Sequence, residues 1–361
     1  NGAAIHGGAA GSTIAISGTA IITGNQITGA TYVGGAVYPH FSTITATDGV
    51  KITGNINKAG APSNLYLKDA TTLKLSGALT GDANIGVYVQ TPPTGAGTTK
   101  SVAVSDGTYA VQSADANFVH SDNGGAAIVQ FKDGGSAGSD KDDTLELKVL
   151  ATDIWVRSSE DTDTTHAAVG NDSTGKGTAA EPYEGLGKAY AEVATGGTIH
   201  AMGNLTTVAT NFAVNKTVNI VSSNWVTDGW KDSGTVHIIQ SALANNSGTY
   251  LLDITAGTVN LKNIIVDGGA VWSGGNDATL GRDTTNTGKY TKAAMIHVDS
   301  GATLTLNDGV EVKNHDNQVA NTGGDKGGAI FVQGGTLTMN GTAKIINNAV
   351  SKSTIGDGGA V

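Results

Sequence analysis

The chain has 361 residues, a net charge of -10, no cysteine, and only 5% aromatic and 14% charged residues. These values exclude a disulfide framework and thiolate metal centres, and they supply no Lys/Arg cluster for nucleic acid or an anionic membrane. No apolar run approaches the roughly 20 residues of a membrane span, and 53 glycines with 5 prolines fit neither collagen nor a proline-rich chain.

Short strands open the sequence. "AAIH", "TIAI" and "AIIT" are separated by "GGAAGS" and "SGT". "AVYP", "TITA" and "VKIT" follow, separated by "HFS" and "TDG". Val37 lies 32 positions after Ile5, so residues 1–60 read as successive three-strand rungs of one repeating coil. Residues 61–157 stay strand-rich, as in "NLYL", "LKLSG", "KSVAVS", "AAIVQFK" and "LELKVLATDIWV", but lose the period. They read as the closing section of a coil. Residues 158–180 are polar and acidic and read as a linker.

The one helix signal lies in "EPYEGLGKAYAEVATGG". Pro182 is placed for a first turn and Gly196-Gly197 for a stop, while Leu186, Ala189, Tyr190, Val193 and Ala194 share a face. The spacing predicts an α-helix over about 182–194, capping a second coil section over 181–361 that is open at its C-terminal end. Strands resume at "GTIHAMG" and run through "KTVNIVSS", "GTVHIIQ", "YLLDIT" and "NIIVDGG". The clearest rungs come last. Met295–Val298, Thr303–Leu306 and Val310–Lys313 form one, and the runs around Ile330, Leu337 and Ile345 form the next. Leu337 and Met339 alternate with Thr336 and Thr338, and Ala343 and Ile345 with Lys344, the mark of a strand with one buried face. The turns are "DSGA" and "NDG" in the first of these rungs, and Gln333-Gly334-Gly335 and Asn340-Gly341-Thr342 in the next. Asn25, Asn55 and Asn348 each follow an isoleucine by three places, which suggests an amide ladder inside the coil or simply good turn residues. The pattern as a whole predicts an all-β parallel β-helix, in which each rung buries its inward residues against the next.

The repeats "GGAV" (Gly34–Val37), "GGAI" (Gly327–Ile330) and "GGAV" (Gly358–Val361), with the later "IITGN", "KITGN" and "KIINN", resemble the GGA(I/V/L)…FxxN repeats of polymorphic outer-membrane-protein-like bacterial adhesins. Ile22, Ile52 and Ile345 stand where that family has Phe. "GTAAEPYEGLGKAYAEVATGGTIHAMG" is similar to the opening segment of pectin-lyase-like right-handed β-helices. The resemblance implies a right-handed coil and a cell-surface, extracellular location.

Enzymes also use this kind of fold, and the chain offers a few candidates for such chemistry. A polysaccharide lyase wants a Lys or Arg base and acidic Ca²⁺ ligands, and the chain has two arginines, Arg157 and Arg282. Arg282 sits in the polar run "GGNDATLGRDTTNTGKY", whose simpler reading is a solvated loop. Asp253, Asp267 and Asp299 at strand ends are candidates for hydrolase carboxylates or, more simply, turn formers. "DGGSAGSDKDD" and "SEDTDTTH" are acidic enough to hold Ca²⁺ weakly but lack calcium-loop spacing. No cofactor is expected. Trp225, Trp230, Tyr250, Trp272 and Tyr290 cluster where insertions are longest. With Arg282, the residues Trp225, Trp230, Trp272 and Tyr290 are the candidate ligand-contact set. Sequons at Asn171, Asn204, Asn215, Asn245 and Asn340 arise easily in so Thr- and Asn-rich a chain.

These observations lead to the expectation of a non-catalytic surface protein: an adhesin, a stalk or a filament subunit. Its partners would be itself, head to tail through open coil ends, further tandem modules of a longer chain, or host and matrix glycans. The alternatives are a carbohydrate-active β-helix enzyme and a phage tail spike.

Overall fold

The structure is a computed structural model. It describes residues 4–28, 35–94, 97–124, 127–135, 142–159, 169–206, 212–223, 237–240, 249–270, 272–273, 285–286, 293–317 and 328–350, with Thr206, His237, Gln240, Trp272, Ser273, Thr285 and Asn286 described in their backbone alone. The chain is nearly all β, with mostly parallel pairing. It divides into two compact units, Asn1–Leu150 and Ala151–Val361.

In the first unit the strands form three columns. Ile5–His6, Val37–Tyr38 and Leu65–Leu67 make one column. Thr13–Ile16, Thr43–Asp48, Leu73–Leu79 and Thr99–Ser105 make the second. Ile21–Ile22, Lys51–Ile52, Asn84–Val89 and Val119–Ser121 make the third, which joins the first in one seven-stranded sheet because Leu65–Leu67 pairs parallel with the end of Asn84–Val89. Neighbours within each column run parallel, and the expected 32-residue step is realised as Ile5 facing Val37. Like residues stack on like. Ile14, Ile44 and Leu73 are register partners, as are Ile22, Ile52, Ile85 and Val119. From Ile44 onward these side chains are fully buried. Burying each such aliphatic chain contributes about 1.5–3 kcal/mol, and β-branched residues suit the pleated surface.

The parallel pattern then stops. Thr99–Ser105 pairs antiparallel with Thr144–Val149, which pairs antiparallel with Ala127–Lys132. The two strands 127–132 and 144–149 are joined as a hairpin, and a hairpin connection reverses chain direction without the crossover that a parallel neighbour requires.

The second unit repeats the three-column plan. One column holds Ala151–Val156, Val193–Ala201, Val218–Ser222, Thr258–Lys262, Thr303–Leu306 and Thr336–Met339. A second holds Leu205–Thr206, His237–Gln240, Ile264–Asp267, Glu311–Lys313 and Lys344–Ile346. The third holds Phe212–Val214, Leu252–Ile254, Ile296–Val298 and Ile330–Val332. All these pairs are parallel. Phe212, Leu252, Ile296 and Ile330 stack in register and join one hydrophobic core.

The α-helix is Leu186–Glu192, shorter than the expected span of about 182–194. Its first turn is lost to the sheet: Tyr183 N–H donates to Trp155 O (3.1 Å), and Tyr183 O accepts from Arg157 N–H (2.8 Å). Gly185 is the extended cap, and Asp172 Oδ1 accepts from both Glu184 and Gly185 N–H. At the other end Lys216 Nζ donates to Tyr190 O and Val193 O at 2.7 and 2.6 Å. Gly196 and Gly197 do not stop the helix. They lie within the strand Val193–Ala201, where the register shifts and Gly196 takes a φ of +81°. Leu186 and Ala189 on the helix join the core of this unit.

The corner asparagines form a ladder. In the first unit Asn25 Nδ2 donates to Asn55 Oδ1 (2.8 Å), Asn55 Nδ2 to Asn64 Oδ1 (2.9 Å), and Asn64 Nδ2 to both oxygens of Asp122 (3.1 and 3.0 Å). Asn55 and Asn64 are buried. The backbone just before Asn25, Asn55 and Asn348 turns left-handed, with Gly24 and Gly54 at φ +69° and Asn347 at +56°; Asn314, before His315, does the same at +55°. Gly86 leaves room for the ladder, since a Cβ there would lie 2.3 Å from Asn64 Nδ2.

Candidate functional site

Trp225, Trp230, Arg282 and Tyr290 lie outside the described residues. Trp272 is described in its backbone alone, in a two-residue strand antiparallel to Thr285–Asn286. Gly34, Asn245 and 351–361, with the last "GGAV", also lie outside them, as do most of "DGGSAGSDKDD" and "SEDTDTTH". Arg157 is buried at 2% exposure. Among the described residues no three His, Asp or Glu side chains converge to hold a metal ion. The strand-end aspartates do not converge on one another. Asp267 Oδ1 accepts from Gly269 N–H and Asp299 Oδ1 from Ser300 N–H, each tying its own turn. Asp253 instead binds an imidazole, His297.

Stacking governs the outer faces as well as the core. In the second unit Asp253, His297 and Phe331 are successive register partners. The His297 ring lies between Tyr250 (4.5 Å, 20°) and Phe331 (5.5 Å, 18°). Its Nδ1 is 2.8 Å from Asp253 Oδ1 and its Nε2 3.1 Å from Gln333 Oε1. In the first unit His6 and Tyr38 are register partners, as are Tyr66 and Tyr88. Ring centroids along His6, Tyr38, Tyr66 and Tyr88 are 5.5, 5.2 and 5.4 Å apart. Burial, with Tyr38, Tyr88 and Asp69 adding, pushes the Tyr66 phenol up to about 12. Sequence reading missed both rows, although the 32-residue step from Ile5 to Val37 also aligns His6 with Tyr38.

One cluster has the composition of a hydrolase triad. His200 Nδ1 is 2.9 Å from Ser223 Oγ, and His200 Nε2 is 3.0 Å from Asp153 Oδ1, with Trp155 stacked on the imidazole at 4.7 Å. A nucleophile needs an exposed hydroxyl beside room for the scissile carbonyl. Ser223 is fully buried, so the arrangement ties together neighbouring strands and offers no nucleophile.

The remaining feature is the pair of open edges. In the first unit no described strand covers the outer edge of Ile5–His6, Thr13–Ile16 or Ile21–Ile22; in the second none covers Ile330–Val332, Thr336–Met339 or Lys344–Ile346. Apolar side chains stand exposed there: Ile5 at 36%, Ile21 at 61%, Met339 at 45% and Ile346 at 37%. Apart from Lys344, these six strands carry no Asp, Glu, Lys or Arg. Edge strands are ordinarily blunted by charge, proline or a covering loop.

Comparison with protein-family models, with curated proteins and with solved structures returns no match to this chain. No described helix is long and apolar enough to cross a membrane.

Proposed function

We propose that each unit is a right-handed parallel β-helix and that the chain is a non-catalytic structural protein of the cell surface, a stalk, adhesin or filament subunit. The observation that carries this reading is the like-on-like stacking of rungs, inside and out: Phe212, Leu252, Ile296 and Ile330 within, Asp253, His297 and Phe331 without. A chain that repeats one rung gains length with each repeat and pairs its backbone with the rungs on either side. The polar clusters that are described secure strands to one another: His200 and His297 each bridge partners on neighbouring rungs.

The test is direct. The purified chain is incubated with acidic polysaccharides, with and without Ca²⁺, and reducing ends and unsaturated products are followed. No turnover is expected, together with resistance to proteases and labelling of intact source cells by an antibody raised against the chain. Sustained turnover lost in Arg282→Ala would establish the enzyme reading instead.

A further inference from the structure

We infer that these two edges, which no described strand covers, are the two halves of a single interface: the outer edge of residues 336–348 receives the outer edge of residues 13–25 of a second copy of the chain, in parallel register. This inference rests on the structural reading above and adds the partner and the pairing.

The first argument is the match between the edges. Residues 336–348, "TLTMNGTAKIINN", align without a gap on residues 13–25, "TIAISGTAIITGN". Thr336, Gly341, Thr342, Ala343, Ile345 and Asn348 meet the same residue types at Thr13, Gly18, Thr19, Ala20, Ile22 and Asn25. Both stretches fold alike, as two strands, Thr336–Met339 and Lys344–Ile346 against Thr13–Ile16 and Ile21–Ile22, around a left-handed glycine at Gly341 or Gly18. Placed in register, Leu337 stacks on Ile14, Met339 on Ile16 and Ile345 on Ile22, continuing the pattern that each edge already shows toward its own unit.

The second argument is the corner amide, which works identically at both ends. In the first unit Asn55 Nδ2 donates to Ile22 O and Thr53 O (2.9 and 3.1 Å), and Asn55 Oδ1 accepts from Asn25 N–H (3.0 Å). In the second unit Asn348 Nδ2 donates to Val312 O and Ile346 O (3.0 and 2.9 Å), and Asn348 Oδ1 accepts from His315 N–H (3.0 Å). Each rung's amide therefore reaches back to the rung before it. The next step of that rule joins two chains. Asn25 Oδ1 of the second copy accepts from Asn348 N–H, while its Nδ2 hydrogens stay on its own Thr23 O and Asn55 Oδ1, at 3.2 and 2.8 Å. The contact uses different surfaces on the two copies, so it is head to tail and adds copy to copy, as a ring or an open filament.

The chain has no native cysteine, which allows a clean test by cross-linking. Thr338 and Ala15 face each other across the inferred junction. Ala15 is exposed and Thr338 half-buried, so neither substitution disturbs a core. Neighbouring parallel strands place paired Cα atoms within the roughly 4.4–6.8 Å that a disulfide spans. The full chain carrying both Thr338→Cys and Ala15→Cys is oxidised and run under denaturing, non-reducing conditions. A ladder of covalent trimers and larger species is expected, while each single variant stops at dimers. Light scattering of the unmodified chain should show mass rising with concentration. A double variant that yields no more than its singles, with unmodified protein that stays monomeric at the highest concentration, overturns the interface. If that protein keeps its β-type circular dichroism and cleaves no polysaccharide, the structural reading survives and only the pairing fails.

Discussion

Asn55→Ala is the sharpest probe of the corner ladder. Asn55 is 1% exposed. Its side chain holds Ile22 O, Thr53 O and Asn64 Oδ1 as acceptors and Asn25 N–H and Nδ2–H as donors. Asn64 Oδ1 keeps a second donor, Asn55 N–H at 2.9 Å, so it is not orphaned. Ile22 O likewise keeps Thr53 N–H at 3.3 Å, which leaves Thr53 O, Asn25 N–H and one Asn25 Nδ2–H to lose this partner. At about 1 kcal/mol for each net hydrogen bond, the expected loss is about 3 kcal/mol, with Thr45→Ala on the outer face as a control near zero. The assay is urea unfolding with two probes. All four tryptophans, 155, 225, 230 and 272, belong to the second unit. Circular dichroism should therefore reveal an early transition for the first unit while tryptophan fluorescence stays unchanged. A loss below 1 kcal/mol, or equal shifts in both probes, would show that the amide decorates a turn and does not hold the rungs.

Three further outcomes follow from the same structure. Burial holds His315 down to about 4 against an ordinary imidazole value of 6.5, even though Nε2–H donates to Ala293 O and Asp316 lies near. The unfolded chain thus takes up the proton first as pH falls below 6.5. The second unit should lose about 1.4 kcal/mol per pH unit down to about 4, a slope that His315→Gln flattens when midpoints at pH 7 and 4.5 are compared. Gly86→Ala drives a Cβ to 2.3 Å from Asn64 Nδ2 and 2.6 Å from Asp122 Oδ1; it should cost about 1–3 kcal/mol by overpacking, visible in the first unit's thermal midpoint. Lys216→Met keeps the stem but removes both bonds to the helix's final carbonyls, and should lower the second unit's stability by about 1.5–3 kcal/mol, with the helix contribution to circular dichroism reduced.

The sequence reveals the rungs wherever polarity alternates over a full run. Thr303–Leu306 and Thr13–Ile16 have the bounds that their patterns suggest, and the isoleucine-to-asparagine spacing points to the buried amides. It does not reveal strand direction. "AIVQFK" and "TLELKV" alternate like any strand, and only their joining as a hairpin makes them antiparallel. Pro182 and Tyr183 suit a helical first turn locally, but the backbone of Tyr183 is taken by the edge of Ala151–Val156, so the helix starts later than the local pattern implies. The outer rings of His297 and Tyr66 were illegible one strand at a time, since a stack is a property of several rungs at once. The exposed isoleucines and methionine of the outermost described strands became visible only in the structure.

Rungs of unequal length nonetheless keep the same register. Asn219 and Asn260, bonded across neighbouring strands, lie 41 residues apart, whereas Asn307 and Asn340 in the same relation lie 33 apart. The surplus is carried in the connections, and doubling a loop costs only about 0.6 kcal/mol of closure entropy. A foreign peptide spliced into such a connection should therefore leave the scaffold intact, making this molecule a display frame on which epitopes could be exchanged one bend at a time.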